Sequence, residues 1–259
     1  MKFSILITSY NKGKYIDECI KSCLNQNEKN YEILIFDNFS EDESDSIFLQ
    51  YSNSIRLFKE KKISIYPTVN QIDLIKKAFV KSSGDIICLL DGDDYFLPEK
   101  LSEISKYFSK NIDTNVIFDV PFVIKKNNKK FRFNASEKFQ KNIWPKIIPT
   151  SSISLRRNFM QECINDGVFE NYNLLEIDFR INVLARNIRK NCKIINSEIT
   201  IYRQVDDSIM SNIKKYSKKW WIKRKEAHEF MKDFFIKNQL VYENKFDYYL
   251  TDKISKFLL

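Results

Sequence analysis

The sequence predicts an α/β fold in which a mostly parallel central sheet is flanked by helices. Short apolar segments alternate with amphipathic helical segments through the first 110 residues, a pattern typical of right-handed crossover connections. Two of the apolar segments end in carboxylates, at Asp37 and at Asp91. Because the carboxyl ends of parallel strands meet at one edge of a sheet, we expect these two side chains to face one crevice.

The first elements follow from their periodicity. Residues 3–8 form an apolar strand, and residues 15–24 place apolar side chains on one continuous helical face. Residues 32–37 form the second strand. Ser40 and Glu43 are expected to form a capping box for the next helix, whose apolar face includes Phe48.

The same reasoning continues along the chain. Residues 55–58 and 85–90 are predicted strands, residues 72–79 a helix, and residues 98–109 a helix with Pro98 as its first residue. Residues 116–125 and 131–133 flank a basic polar segment, which predicts a hairpin. Further extended segments are expected at 151–155 and 194–202, with a helix near 178–188 between them, and residues 212–259 are predicted to be mainly helical.

A cluster of carboxylates follows the fourth predicted strand directly. Asp91, Asp93 and Asp94 surround Gly92 at the end of five apolar residues. Carboxylates held together there repel one another and lose solvation unless a cation neutralises them. Oxygen ligands suit Mg²⁺ or Mn²⁺, which take further ligands from a substrate's phosphates, so the cluster predicts a site for a metal and a diphosphate. The alternative is a solvated turn that caps the following helix.

Composition limits the class of protein. The 259 residues suffice for a large domain with a small appendage, and the net charge of +9, concentrated in the last third, favours anionic partners. Five cysteines in apolar patterns predict buried free thiols in a reducing compartment, and no further Cys or His completes a zinc site with Cys19 and Cys23. No signal-peptide pattern or long apolar run is found, so we expect a cytoplasmic protein.

Several segments together resemble the inverting glycosyltransferases of family 2, which have the GT-A fold. The resemblance covers roughly residues 3–211 and depends on the order and spacing of the segments. They are residues 5–11 (ILITSYN), 22–26 (SCLNQ), 33–37 (ILIFD), 90–94 (LDGDD), 151–157 (SSISLRR), 167–169 (GVF), 175–179 (LEIDF) and 202–204 (YRQ).

The resemblance implies roles for the donor side of the site. Thr8 and Tyr10 would border the nucleobase, and Asp37 would hydrogen-bond the base or the ribose. Asp91 and Asp93 correspond to the Asp-x-Asp motif, with Asp93 as the direct ligand of Mn²⁺ or Mg²⁺ and Asp91 near the ribose or a metal-bound water. The metal would bridge the diphosphate and neutralise the leaving nucleotide.

The resemblance also implies the catalytic base that inversion requires. A carboxylate at the start of a helix takes the proton of the acceptor hydroxyl, and alignment on the next apolar residue gives this role to Glu176, with Asp178 in support. The alternative is that both carboxylates only stabilise a helix N-terminus.

Two positions depart from the family pattern. Asn38 stands where a second Asp is frequent, and Val205 stands where a His often follows Arg203, a residue expected on the donor side. Either Asp206, Arg203 or a lysine would then complete the site, or the use of the metal is altered. The only histidine, His228, lies in the C-terminal segment and is expected at the surface or in packing.

These features predict a domain at 1–211, with a nucleotide-sugar half at 1–97 and an acceptor half at 98–211, and a basic extension at 212–259. The expected activity is metal-dependent transfer of a hexose or N-acetylhexosamine, most simply from a UDP-sugar, to a glycan or lipid-linked acceptor of a surface polysaccharide or lipooligosaccharide. The alternatives are a nucleotidyltransferase, which lacks support because the first loop has one glycine, and a nucleic-acid-binding protein, for which no module is found.

The basic extension has two interpretations. Residues 214–225 interleave six lysines and one arginine with aromatic residues, which suits a helix at the inner face of an anionic membrane. In the alternative, Trp220, Trp221, Phe230 and Phe234 pack the helix on the catalytic domain and the lysines are solvated.

Overall fold

The structure is a computed structural model that describes residues 1–125, 127–134, 146–205, 213–243 and 245–258. Its centre is a seven-stranded sheet in the order β10-β6-β9-β4-β1-β2-β3. The strands of this sheet are β1 (Phe3–Ser9), β2 (Tyr31–Asp37), β3 (Arg56–Lys59), β4 (Ile86–Asp91), β6 (Val116–Asp119), β9 (Ile153–Arg156) and β10 (Cys192–Ile195). All neighbouring strands are parallel except β9, which is antiparallel to both β4 and β6.

A second, four-stranded sheet has the order β5-β11-β7-β8. Its strands are β5 (Tyr95–Phe96), β7 (Phe122–Ile124), β8 (Lys130–Arg132) and β11 (Thr200–Arg203). The antiparallel pair of β7 and β8 confirms the predicted hairpin, although its first arm was predicted too long. The chain divides at Pro121, so residues 116–119 join the large sheet; part of the basic tip, at residue 126, lies outside the described residues.

Helices cover both faces of the large sheet. They are α1 (Gly13–Leu24), α2 (Ser44–Gln50), α3 (Pro67–Lys81), α4 (Lys100–Lys110), α5 (Arg157–Asn165), α6 (Ile177–Asn182), α7 (Lys218–Lys237) and α8 (Lys245–Leu258). A 3-10 turn at Thr150–Ser152 precedes β9, and a π-helical segment at Val183–Ile188 extends α6. No described helix combines the length and apolarity that crossing a bilayer requires.

Alternation along the central strands explains why both faces are covered. In β4, Ile86, Cys88 and Leu90 pack with α1 and α4, whereas Ile87 and Leu89 face α3 and α5. Strands buried on both faces read as continuous apolar runs, which is why short apolar segments predicted this sheet well. The five cysteines are free, as the sequence predicted; four of them are also buried as predicted, whereas Cys192 is half-buried.

Helix boundaries provide the main corrections. The predicted capping box is wrong, because Ser40 donates to Asp37 and α2 begins only at Ser44, next to the side chain of Asp42. The third helix begins at Pro67 rather than at residue 72, and the fourth begins at Lys100, two residues after Pro98. In both cases the periodic apolar positions mark only part of the helix.

The C-terminal helices pack on the body of the protein. Ala227, Phe230, Met231 and Phe234 of α7 belong to the same core cluster as β4 and α6. The ring of Phe230 lies edge-on to that of Phe179, with 6.0 Å between centroids. Helix α7 is therefore joined to the core through an apolar interface that includes Phe230 and Phe234 of the packing alternative, whereas Trp220 and Trp221 are half-buried outside this cluster.

His228 is a packing residue, which confirms one of the two alternatives for this position. Its side chain is fully buried between α7 and α8, where Nδ1 lies 2.6 Å from the hydroxyl of Tyr242 and Nε2 lies 3.2 Å from Asp247. Burial lowers the pKa of His228 to about 4, so the ring is neutral at neutral pH.

Candidate functional site

A cavity of about 680 Å³ lies beyond the carboxyl ends of β1 and β4, a volume within the range of small-molecule sites. It is bordered by the loop after β1, by α3, by the turn after β4, and by the segments around α6 and β11. Its polar lining consists of Thr8, Ser9, Tyr10, Asn11, Lys12, Asn38, Lys62, Ser64, Asn70, Gln71, Asp91, Asp93, Thr150, Glu176, Asp178, Tyr202 and Arg203. Seven of the eight predicted site residues, all except Asp37, are among them.

The turn at residues 91–94 holds its carboxylates in different directions. The amide of Gly92 donates to the carbonyl of Thr8 at 2.9 Å, and the amide of Asp94 donates to the carbonyl of Asp91 at 2.9 Å. A Cβ at position 92 would lie 3.1 Å from the Thr8 oxygen and 3.2 Å from Ile16, so a larger residue would displace the turn from β1. Glycine is needed here for close approach between backbones.

Asp94 supports the turn from behind. It is fully buried, accepts hydrogen bonds from the Ser151 hydroxyl and from the amide of Arg203 at 2.7 Å, and is absent from the cavity lining. Burial and the neighbouring Asp93 raise its pKa well above the usual value. Of the three clustered carboxylates, two therefore face the cavity and the third anchors β11 and the 3-10 turn.

Asp91 is held at the base of the cavity by neutral donors. Its Oδ1 accepts from Gln71 Nε2 at 2.6 Å and from the Thr8 hydroxyl at 3.2 Å, and its amide donates to the Ser151 hydroxyl at 3.1 Å. Burial, with the charge of Asp93 second, raises the pKa of Asp91 to about 7. A carboxyl group with this pKa is well suited to hydrogen-bond a ribose hydroxyl or a water molecule.

Asp93 is surrounded by cations. Its Oδ2 lies 2.9 Å from Lys12 Nζ, and its backbone carbonyl accepts from Arg203 Nη1 at 2.8 Å. The Arg203 guanidinium lies 4.5 Å from the ring centroid of Tyr95 and pairs with Glu18. This corner of the cavity thus combines one carboxylate with two cationic side chains, a pattern that suits a bound diphosphate.

The cavity lining carries a second pair of carboxylates, Glu176 and Asp178. Glu176 immediately precedes α6, and Asp178 lies in the first turn of α6. Glu176 forms an ion pair with Lys223 of α7, in which the side chains are 10% and 12% exposed. Burial, with Glu176 second, raises the pKa of Asp178 to about 8. At neutral pH Asp178 is therefore mainly protonated.

The two predicted nucleobase contacts differ in exposure. Thr8 is buried beside Asp91, whereas Tyr10 is 38% exposed at the cavity mouth, where Lys62 Nζ lies 3.2 Å from its ring centroid. Lys62 stacks on the Tyr10 ring, and the ring remains at the surface, where it offers a flat face for contact with a base. Contact of both residues with a base stays a prediction.

Asp37 faces away from the cavity. It is fully buried and accepts hydrogen bonds from the amide of Ser40, at 2.7 Å, and from the Ser40 hydroxyl. Ser40 in turn accepts from the amide of Asn11 at 2.8 Å, so Asp37 organises the two loops that border the cavity. Its neighbour Asn38 lines the cavity instead. Contact of Asp37 with a base or ribose stays a prediction.

The residues present fit a metal ion only together with phosphate oxygens. Within the described residues, no three His, Cys, Asp or Glu side chains form a ready metal cage. Val205 is buried, and Asp206 lies outside the described residues. Asp93 offers a carboxylate at the cavity wall, and one or two carboxylates plus substrate phosphates are a usual set of ligands for Mg²⁺.

Sequence reasoning missed two polar residues of the cavity lining, Lys12 and Gln71, and one residue that pairs with a cavity carboxylate, Lys223. Gln71 lies in the first turns of α3, whose start at Pro67 was not recognised. Lys12 stands in the predicted first loop, but no pattern distinguished it from a solvated lysine. Lys223 and Arg224 belong to the basic segment 214–225, for which a membrane face was one of two interpretations; in the structure Lys223 pairs with Glu176, and Arg224 pairs with Asp247.

Comparison with known proteins gives a consistent result. The sequence matches the family described as Glycosyl transferase family 2 over residues 4–163. A curated relative, the uncharacterized glycosyltransferase MJ1057 of Methanocaldococcus jannaschii, is 25% identical over 230 residues, which are 82% of this chain and 74% of the relative.

Solved structures agree at the level of fold. Staphylococcus aureus TarS 1-349 in complex with UDP-GlcNAc superposes with a TM-score of 0.67 at 14% identity, covering all of this chain and 71% of TarS 1-349. The mannosyltransferase PcManGT of Pyrobaculum calidifontis, in complex with GDP-Man and Mn²⁺, gives a TM-score of 0.55 at 11% identity, with 99% and 69% coverage. Two other curated relatives are much longer than the chain, which spans only 31% and 22% of their lengths.

Proposed function

Since this chain belongs to glycosyl transferase family 2 and has the GT-A fold, we propose that it transfers a sugar from a UDP-sugar to an acceptor hydroxyl with inversion. The observation that carries the proposal is one cavity lined both by Asp91 and Asp93, beside cationic side chains, and by Glu176. Inverting transfer requires the groups that bind the leaving diphosphate on one side of the anomeric carbon and the base on the other side.

On the donor side, we assign the diphosphate to the corner formed by Asp93, Lys12 and Arg203. The Asp91 carboxyl is proposed to contact the ribose, and Thr8 and Tyr10 to border the base. A divalent cation held by Asp93 and the diphosphate would supply further neutralisation of the leaving group. The complexes of TarS with UDP-GlcNAc and of PcManGT with GDP-Man and Mn²⁺ support this assignment by their shared fold.

On the acceptor side, Glu176 is proposed as the base. The acceptor hydroxyl oxygen forms a bond to the anomeric carbon while the bond to the diphosphate oxygen breaks, and the bonding electrons leave with the nucleoside diphosphate. The hydroxyl proton passes to a carboxylate oxygen of Glu176. Asp178, with a pKa of about 8, already holds a proton at neutral pH and is assigned a supporting role.

The proposed division of the chain follows these roles, with a donor half at 1–97, an acceptor half at 98–211 and an extension at 212–259. The extension is not separate from the site, because Lys223 of α7 forms an ion pair with Glu176, the carboxylate proposed as base. Helix α7 therefore belongs to the catalytic unit in function. The boundary itself, at residues 211 and 212, lies outside the described residues.

We further propose a glycan or lipid-linked acceptor and peripheral binding to the inner face of an anionic membrane. Support comes from α8 rather than α7, since Trp220 and Trp221 are half-buried. Helix α8 exposes four large side chains at helical spacing: Phe246 (78%), Tyr249 (56%), Leu250 (43%) and Phe257 (90%). Lys253 lies within this stripe and Lys256 beside it, a combination that suits an interfacial helix.

Vesicle co-sedimentation tests the membrane proposal. Replacing both Phe246 and Phe257 by Ser should abolish sedimentation with anionic vesicles at low salt, whereas Val80→Ser, which removes an equally exposed side chain of α3, should leave it intact. Binding should weaken as salt rises through the screening range. If the Phe246 and Phe257 double variant sediments with the vesicles as well as Val80→Ser does, the proposal that α8 binds the membrane is refuted.

Membership of the glycosyltransferase family argues against the two alternative functions, a nucleotidyltransferase and a nucleic-acid-binding protein. A nucleotidyltransferase would share the carboxylates but has no need of a base such as Glu176 facing the same cavity. A nucleic-acid-binding role would place phosphates against Asp91 and Asp93, which repel them unless a metal is bound.

Thermal stability in the presence of donors tests the proposed function. The protein is heated with a panel of UDP- and GDP-sugars, with and without Mn²⁺ or Mg²⁺. We expect a UDP-sugar to raise the melting temperature when metal is present, because ligands that bind only the folded state stabilise it. An unchanged melting temperature with every donor would refute the proposal, and equal shifts with and without metal would refute the metal role of Asp93.

A further inference from the structure

Lys12 forms an ion pair with Asp93, the carboxylate proposed to hold the metal. Its Nζ lies 2.9 Å from Asp93 Oδ2, and the two side chains are only 13% and 11% exposed. Lys12 directly precedes α1 and lies over the turn that carries Asp93, since a Cβ on Gly92 would be 3.5 Å from the Lys12 Cβ. Both side chains line the proposed donor cavity.

The other carboxylates of the turn offer a metal no simple alternative. Asp94 is turned away toward Ser151 and the amide of Arg203, and Asp91 is engaged by Gln71 and Thr8. An ammonium group and a divalent ion that shared Asp93 would repel each other strongly at such short range. Binding of a metal to Asp93 and the Lys12 ion pair are therefore competing states.

From this competition, and resting on the proposed function, we infer that Lys12 is the resident counter-cation of Asp93 and transfers to the diphosphate when the donor binds. The flexible four-carbon stem of lysine allows its ammonium group to exchange one anion for another nearby. The diphosphate supplies both the new partner for Lys12 and the extra oxygen ligands for the metal. Metal and nucleotide consequently enter together, and the metal does not bind first.

Lys12 would then have two opposite effects on binding. In the protein without nucleotide it excludes the divalent ion from Asp93. In the complex it contributes a positive charge to the diphosphate and stabilises the bound nucleotide. A lysine that only supported the fold would not strengthen one binding event while weakening the other.

Manganese binding followed by electron paramagnetic resonance separates these effects, because free Mn²⁺ gives a signal that disappears on binding. The full chain is titrated with Mn²⁺ alone, and with UDP or GDP present. Lys12→Gln should bind Mn²⁺ alone at least about tenfold more tightly than the parent protein, and should bind the nucleotide with Mn²⁺ at least about fivefold more weakly. Lys12→Arg, which keeps the charge, should resemble the parent in the first measurement.

Three controls make every outcome decisive. Lys12→Met provides a second neutral variant, and a thermal melt of each variant verifies folding. Asp93→Asn should abolish the gain in Mn²⁺ affinity when combined with Lys12→Gln. Unchanged Mn²⁺ affinity in both neutral variants, with normal nucleotide binding, would overturn the role of Lys12 while leaving the proposed function intact. Absence of UDP and GDP binding by the parent protein with Mn²⁺ would overturn both.

Discussion

The ion pair between Glu176 and Lys223 makes a strong prediction about pH dependence. Replacing Lys223 by Met removes the cation that neutralises two carboxyl groups, Glu176 and Asp178, on the acceptor side of the cavity. The carboxyl pair should then take up a proton more readily. Because the proposed base must be ionised to accept the acceptor proton, activity should be lost at a higher pH than in the parent enzyme.

The size of the effect follows from the burial of the pair. Two unit charges about 4 Å apart interact by roughly 4 kcal/mol at the effective dielectric constant of about 20 that suits such sites. The side chains retain 12% and 10% exposure, and other charges remain nearby, so we expect about half of this value or less. Since 1.36 kcal/mol corresponds to about one pKa unit, the acidic limb should move upward by about one to one and a half pH units.

The assay is the pH profile of kcat/KM, measured by release of the nucleoside diphosphate. Lys223→Arg is the matched control, because it keeps the charge and should keep the profile near that of the parent. Lys223→Gln, similar in length, should behave like Lys223→Met. If the two neutral variants lose activity equally at every pH, Lys223 does not act on the base, and the role assigned to the ion pair is wrong.

Two further predictions concern stability. The pKa of Asp178 is raised on folding to about 8, so the stability that its protonated form contributes is full below about pH 4 and is lost as the pH rises through 8. Asp178→Asn should therefore melt roughly 10 °C or more above the parent at pH 8, and nearly equally at pH 4. The ion pair of Lys100 with Asp119 is completely buried, so Asp119→Asn should cost about 3–5 kcal/mol and lower the melting temperature by roughly 10 °C, whereas Lys100→Met combined with Asp119→Leu should recover most of the loss. Calorimetry checks both, and an Asp178→Asn effect that does not depend on pH, or an Asp119→Asn variant as stable as the parent, would contradict them.

The fold was predictable where a continuous apolar segment marks a strand that is buried on both faces. Residues 86–90 read as a buried strand because both faces are covered, and Asp91 then had to stand at the sheet's carboxyl edge. The direction of β9 was not predictable, because nothing within Ile153–Arg156 distinguishes an antiparallel strand from a parallel one. The start of α3 was missed although Pro67 at its first position is a recognised signal.

The candidate site was predictable where its residues follow strands and was not predictable where it depends on tertiary contacts. Asp91 and Asp93 were found from their position after β4. Lys223 pairs with a carboxylate 47 residues away, and its local sequence is that of a basic surface helix. Asp37 was expected in the site because it ends a strand, as Asp91 does. Its carboxylate instead accepts a hydrogen bond from Ser40 in the following loop and does not face the cavity.

The central claim is that Glu176 takes the proton of the acceptor hydroxyl in an inverting transfer. The most direct measurement compares single-turnover transfer and nucleotide affinity in the parent, Glu176→Gln and Asp178→Asn, with the anomeric configuration of the product determined by NMR. We predict an inverted product, a loss of transfer of about a hundredfold or more in Glu176→Gln with nearly unchanged nucleotide affinity, and a much smaller loss in Asp178→Asn. Transfer by Glu176→Gln at the parent rate, or a product with retained configuration, would contradict the assignment.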